Sequence, residues 1–179
     1  MNLETVPEEA LREILALKQA QININLREKA QNEFMPFAHH VYENFIEGYH
    51  HRVIAKKLEL VAQGKLKRLI INMPPRHSKS EFASYLMPAW FLGRNPKLKI
   101  IQATHNTELA VRFGRKVRDL LDDPAYKEIF PKTGLKEDSK SAGRWSTSVG
   151  GEGERDERAQ RVRVRVVFDE RRRGGGVET

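Results

Sequence analysis

Leu69-Ile70-Ile71-Asn72-Met73-Pro74-Pro75-Arg76-His77-Ser78-Lys79-Ser80 is the stretch whose reading decides the fold. Its first five residues form a short apolar run, β-branched in part and bounded by Pro74-Pro75. Such a run fits a buried parallel strand. Its last residues open a helix over 79–92, ended by Gly93 and interrupted by Pro88. A loop between a buried strand and a helix N-terminus is where a phosphate-binding loop sits: backbone N–H groups and the helix dipole favour an anion there. In the pattern G-x-x-x-x-G-K-[ST], Lys79 reaches the β- and γ-phosphates and Ser80 places its hydroxyl on Mg²⁺. This sequence keeps Lys-Ser but has Met73 and Ser78 at the two glycine positions. On spacing alone, a phosphate loop and a plain capped helix after a proline turn both fit.

Working outward, helical spacing predicts helices over 7–20, 36–46, 49–63 and 107–122, the last capped by Asn106. Leu98-Lys99-Ile100-Ile101-Gln102-Ala103 predicts a second strand after an Asn95-Pro96 turn. Strand, helix, strand, helix argues for an α/β class: a parallel sheet flanked by helices. Three regions follow: a helical N-terminal segment at 1–64, a partial core at 65–151, and an Arg/Glu/Gly-rich tail at 152–179. Residues 1–151 hold all 14 Lys and 10 of the 18 Arg, whereas the tail holds 8 Arg, no Lys and 7 Asp or Glu. The composition changes abruptly after Gly150-Gly151.

The chain has 179 residues, a formal net charge of +8, 39% hydrophobic residues and no cysteine. A disulfide framework, a thiolate metal site and a cysteine nucleophile are thereby excluded. The basic excess suits an anionic partner. No apolar run reaches 18 residues, so no membrane span is expected. The acidic, amphipathic start MNLETVPEEALREI does not read as a secretory signal, and an intracellular protein is the expectation.

The wider string LIINMPPRHSKSEFASYLMPAWFLGRNPKLKIIQATHNTELAVRFGRKVRDLL resembles the ATPase core of the large subunit of tailed-phage terminases, as do Tyr49-His50-His51-Arg52 before it and Pro88-Ala89-Trp90-Phe91-Leu92-Gly93 within it. The resemblance covers roughly 33–151. It implies a P-loop NTPase-like fold with a helical N-terminal extension, an ATP and Mg²⁺ site on Pro75, Arg76, His77, Ser78, Lys79 and Ser80, and hydrolysis coupled to packaging of double-stranded DNA. Arg76 matches the family's loop arginine, which would offset charge during phosphoryl transfer. Ser78 departs from the family's Gly and restricts the loop backbone. The resemblance also implies a portal and a small subunit as partners, a homo-oligomeric ring in the full-length protein, and the cytoplasm of a bacterial host.

Such an ATPase needs a second acidic motif. Val162 to Glu170 ends in Asp169-Glu170, where Asp169 would assist the metal and Glu170 would act as general base. The alternation of Val and Arg there fits a half-exposed edge strand or a chance Asp-Glu in a charged tail, not a central strand. The family's nuclease domain has no counterpart here, so the expectation is a fragment, truncated or altered after about residue 151. The competing readings are a helicase-type P-loop translocase and a non-catalytic basic fragment that contacts phosphate backbones. The histidine doublets His39-His40 and His50-His51 lack a supporting carboxylate or cysteine cluster, which disfavours a metal site.

Overall fold

Pro7 leads into helix α1 (Glu8–Asn32), where Glu8 and Glu9 face the positive end of the helix dipole. The computed structural model describes residues 7–97, 100–102, 104, 107–140 and 145–149, with backbone alone for 136–140 and 145–149. Helix α1 runs twelve residues past the expected end at 20, because no Gly or Pro stops it. Amide pairs Gln19–Asn23 and Gln21–Asn25, at 3.1 and 3.0 Å, link successive turns of its polar stretch.

Helix α2 (Phe34–Val41) and helix α3 (Tyr49–Ala62) follow. Phe34 and Phe37 of α2 are fully buried, and the Phe34 N–H donates to the Glu59 carboxylate of α3 at 2.8 Å. Lys79 and Ser80 begin the next helix, which continues as a π-helical stretch (Glu81–Leu86) and then as α4 (Met87–Arg94). Phe82, Ala83, Ser84 and every residue from Leu86 to Leu92 are buried. A helix apolar on all sides belongs at the centre of a core. The Trp90 indole N–H donates to the Ala30 carbonyl at 3.0 Å, and the Tyr126 hydroxyl donates to the Ala89 carbonyl at 2.9 Å.

Helix α5 (Thr107–Asp122) buries Phe113, Val117, Leu120 and Leu121 on one face. Helix α6 (Pro124–Ile129) starts with Pro124 in its first turn, and Asp123 caps it by accepting from the Ala125 N–H at 2.8 Å. Tyr126 and Phe130 close the aromatic cluster against Phe37, with ring centroids 5.3 to 6.1 Å apart.

The parallel sheet of a P-loop NTPase-like α/β fold, expected from the two apolar runs, is corrected by this architecture. The described residues are mostly helical, and their one sheet is an antiparallel pair, β1 (Thr133–Lys140) and β2 (Trp145–Val149), in which Thr133 faces Val149 and Leu135 faces Thr147. Residues 69–73 form no strand. Leu69, Ile71 and Met73 lean on the core, while Ile70 is 93% exposed. That alternation is the signature of one covered face, not of a central strand covered on both. Ile100 packs against the core, Ile101 is exposed, and neither lies in a strand; 98, 99 and 103 lie outside the described residues. A short apolar run carries no periodicity that separates a paired strand from a segment laid on a helical core. No helix among the described residues is long and apolar enough to cross a membrane.

Gly93 is fixed by packing. A Cβ there would stand 2.4 Å from the Phe130 ring, which is itself buried. Gly93→Ala is expected to lower stability by about 1–3 kcal/mol through overpacking. Adding Phe130→Leu should recover part of the loss, as read by denaturant midpoints. Equal midpoints for Gly93→Ala and wild type would show that the ring moves freely.

Candidate phosphate-binding loop

The turn from Pro74 to Ser78 holds two non-glycine residues in the left-handed region, Arg76 at φ 65° and Ser78 at φ 56°. The Ser78 carbonyl accepts the Phe82 N–H at 2.9 Å and so starts the helix. Lys79 and Ser80 therefore occupy its first turn, half-buried, while Pro75, Arg76 and His77 are exposed. The His77 Nδ1–H donates to the Pro75 carbonyl at 2.9 Å and tightens the turn.

A row of rings braces the loop from the side. His77 lies edge-on to His50 at 5.6 Å, His50 lies 3.8 Å from His51, and His51 stacks on Phe82 at 5.0 Å. His51 is buried, and its Nδ1 accepts the Gly48 N–H at 2.9 Å, half of a capping box at the start of α3. The Nε2 atoms of His50 and His51 are buried without a hydrogen-bond partner. In the sequence this doublet reads as part of the resemblance and as a disfavoured metal pair, and its bracing role does not show. The available signal was a doublet at a helix N-terminus, two residues before the first apolar residue, Val53. The other doublet pairs with carboxylates, His39 with Glu47 at 2.6 Å and His40 with Glu128 at 3.0 Å.

The electrostatics of the loop are one-sided. Glu81, the first acidic residue after Ser80, is held by Lys116 of α5 at 3.0 Å. Among the described residues, no carboxylate pairs with Arg76 or Lys79. Helix-terminal N–H groups and two uncompensated cations form an anion-binding arrangement. No group of three metal-ligating side chains exists among the described residues. Asp169 and Glu170, expected as metal and base residues, lie outside the described residues, as does Asn106, expected as a helix cap. The hydroxyl of Ser80 is the group in the loop suited to a hard cation.

A second basic feature lies at the far end of the same helix, about 21 Å from Ser80 at 1.5 Å per residue. Arg27, Gln31, Asn32, Arg94, Lys132 and Thr133 line a concavity of about 410 Å³ that no acidic residue among the described residues lines. The Arg94 guanidinium lies 4.7 Å over the Trp90 ring, and its Nη1 is buried without a partner. Compared with known proteins, the chain matches no family model, no curated protein and no solved structure.

Two outcomes follow from this geometry. A left-handed residue with a Cβ costs roughly 1–2 kcal/mol, part of which Gly returns as lost entropy. Ser78→Gly is therefore expected to raise stability by up to about 1 kcal/mol, and Ser78→Val to lower it; the reverse order in chemical denaturation would contradict the left-handed turn. Burial holds the His51 imidazole below the ordinary histidine pKa, and neighbouring His50 adds to the effect. The unfolded chain then takes up this proton before the folded one does, so stability is full above about pH 6.5 and falls as pH drops below it. Thermal midpoints between about pH 7.5 and about pH 5 should fall more steeply for wild type than for His51→Phe. Identical slopes would refute the assignment.

Proposed function

We propose that the loop from Pro74 to Ser80 holds the phosphate chain of ATP, and that the chain is the ATP-binding part of a DNA-packaging motor of the terminase large-subunit kind. The observation that carries this reading is the pair of left-handed residues, Arg76 and Ser78, directly before a helix whose first two residues are Lys79 and Ser80. In the phosphate-loop pattern, Ser78 stands at the second glycine, and it holds a positive φ that Gly adopts without strain. Lys79 binds the terminal phosphates as a point charge, and the loop N–H groups bind their oxygens. Ser80 offers its hydroxyl to Mg²⁺. Arg76 stands exposed and free of a carboxylate, ready to meet charge on a phosphoryl group. Asp169 and Glu170 would supply the metal and water chemistry, and that part of the reading rests on the resemblance alone. So do the portal, the small subunit and the ring.

A second reading has its own support. The concavity of Arg27, Arg94 and Lys132, lined by no carboxylate among the described residues, suits contact with a nucleic-acid backbone, which needs no nucleotide hydrolysis. The two readings separate in one pair of titrations on the full chain. With Mg-ATP, Lys79→Ala should weaken binding at least about tenfold, and Arg94→Ala should leave it unchanged. With duplex DNA at several salt concentrations, Arg94→Ala should flatten the salt slope by about one unit. Equal Mg-ATP affinity for wild type and Lys79→Ala removes the ATP reading and leaves the backbone-binding one.

A further inference from the structure

Helix α1 presents an apolar stripe that nothing else in the described residues covers. Leu11, Leu15, Ile22 and Leu26 are 40%, 58%, 51% and 57% exposed, while Ile14, Leu17 and Ile24 of the same helix are exposed away from this row. At 100° per residue, these four lie within about 60° of one another on the helix surface. The same helix docks on the body by another side: Arg27 and Gln31 both donate to the Ile129 carbonyl, at 3.3 and 2.5 Å, and they lie roughly 150° round the helix from the stripe. The stripe is therefore free while α1 stays attached. Large exposed apolar residues in a row mark an interaction surface.

The order of residues along the stripe says what covers it. Turned end for end about a point between Lys18 and Gln19, the stripe lies on itself. Leu11 meets Leu26, Leu15 meets Ile22, and Glu8 meets Lys29. Lys18 meets Gln19 twice, a polar layer at the centre that holds the register. The charges are complementary in the same sense. From Glu8 to Leu17 there are three Glu against one Arg; from Lys18 to Asn32, Lys18, Arg27 and Lys29 stand against Glu28. An antiparallel copy brings each acidic half against a basic half, whereas a parallel copy sets like against like. Glu8 and Lys29 are both exposed, and the pair that Glu8 makes with Arg12 of its own helix at 3.0 Å lies at the surface.

We infer that α1 is a self-pairing helix, which joins two copies of this chain in an antiparallel, two-fold coiled contact through Leu11, Leu15, Ile22 and Leu26. The contact is isologous, so it closes at two copies and does not propagate. It is separate from any ring and does not depend on the nucleotide reading.

The absence of cysteine makes the test direct. In sedimentation velocity, the full chain is expected to move from 20.7 kDa towards twice that mass as concentration rises into the range of about 100 µM. Leu15→Glu with Ile22→Glu should keep it monomeric across the range, with helical content unchanged by circular dichroism. Glu8→Lys and Lys29→Glu should each weaken pairing severalfold, and the two together should restore it. Lys18→Cys, beside the two-fold axis, should cross-link to its own copy on oxidation. Glu8→Cys should not, because antiparallel copies hold the two Glu8 positions about 31 Å apart. A chain that stays monomeric, a dimer untouched by the Leu15 and Ile22 changes, or cross-linking through Glu8→Cys instead of Lys18→Cys would each overturn the inference.

Discussion

A helix buried on every side has to satisfy its backbone without water, and here a proline stands in the middle of it. Pro88 has no N–H to offer the Ser84 carbonyl four residues back. The Gln102 side chain donates to that carbonyl at 2.5 Å. The π-helical stretch ends just before the proline, with the Met87 N–H reaching the Phe82 carbonyl five residues back, so the ladder is already widened where the ring enters. Other elements attach to the same rod. Helix α1 receives the Trp90 N–H, α6 sends the Tyr126 hydroxyl to Ala89, and α5 sends Lys116 to Glu81. The turn that carries Lys79 is the front end of this rod, so the packing of the rod sets where the turn stands.

That dependence explains what the sequence could and could not show. The helices over 49–62, from 79 to 94 and over 107–122 announce themselves through apolar spacing, and the first and last also through the Gly64 and the Asp123-Pro124 that follow them. The segments at 69–73 and 100–102 read as strands because an apolar run before a proline has the same composition whether it pairs or simply leans. What decides is the partner. Leu69, Ile71 and Met73 meet side chains of a helical core, and no neighbouring strand among the described residues completes a ladder. The pair β1 and β2 was hidden for the opposite reason. Gly134, Lys136, Glu137, Asp138 and Ser139 give β1 little apolar alternation, and its pairing is set by β2 rather than by its own residues.

The loop divides in the same way. Lys79 and Ser80 are legible because a helix start is a local property of the chain. The conformations of Arg76 and Ser78 are not legible, since neither residue favours positive φ. They follow from two prolines that restrict the approach and from a helix whose position the core has already fixed. The bracing by His50, His51 and Phe82 depends on α3 lying beside the rod, which is a tertiary fact. Where sequence and structure part company over the loop, the missing information is always what stands next to it in space.

The two left-handed residues bear on function through their energy. Each costs roughly 1–2 kcal/mol and persists only because its surroundings over-determine it. A turn whose sole task was to start a helix would reach the same point more easily with an Asn or Gly, which tolerate that region. Here the residues held there are an arginine and a serine, flanked by a lysine, with the first carboxylate that follows in the chain already committed to Lys116. Strain and uncompensated positive charge thus fall on the same few residues. An anion bound at the helix end would relieve the second and use the N–H directions that the first creates. This coincidence, rather than the Lys-Ser pair by itself, is the physical reason to treat the turn as a binding loop.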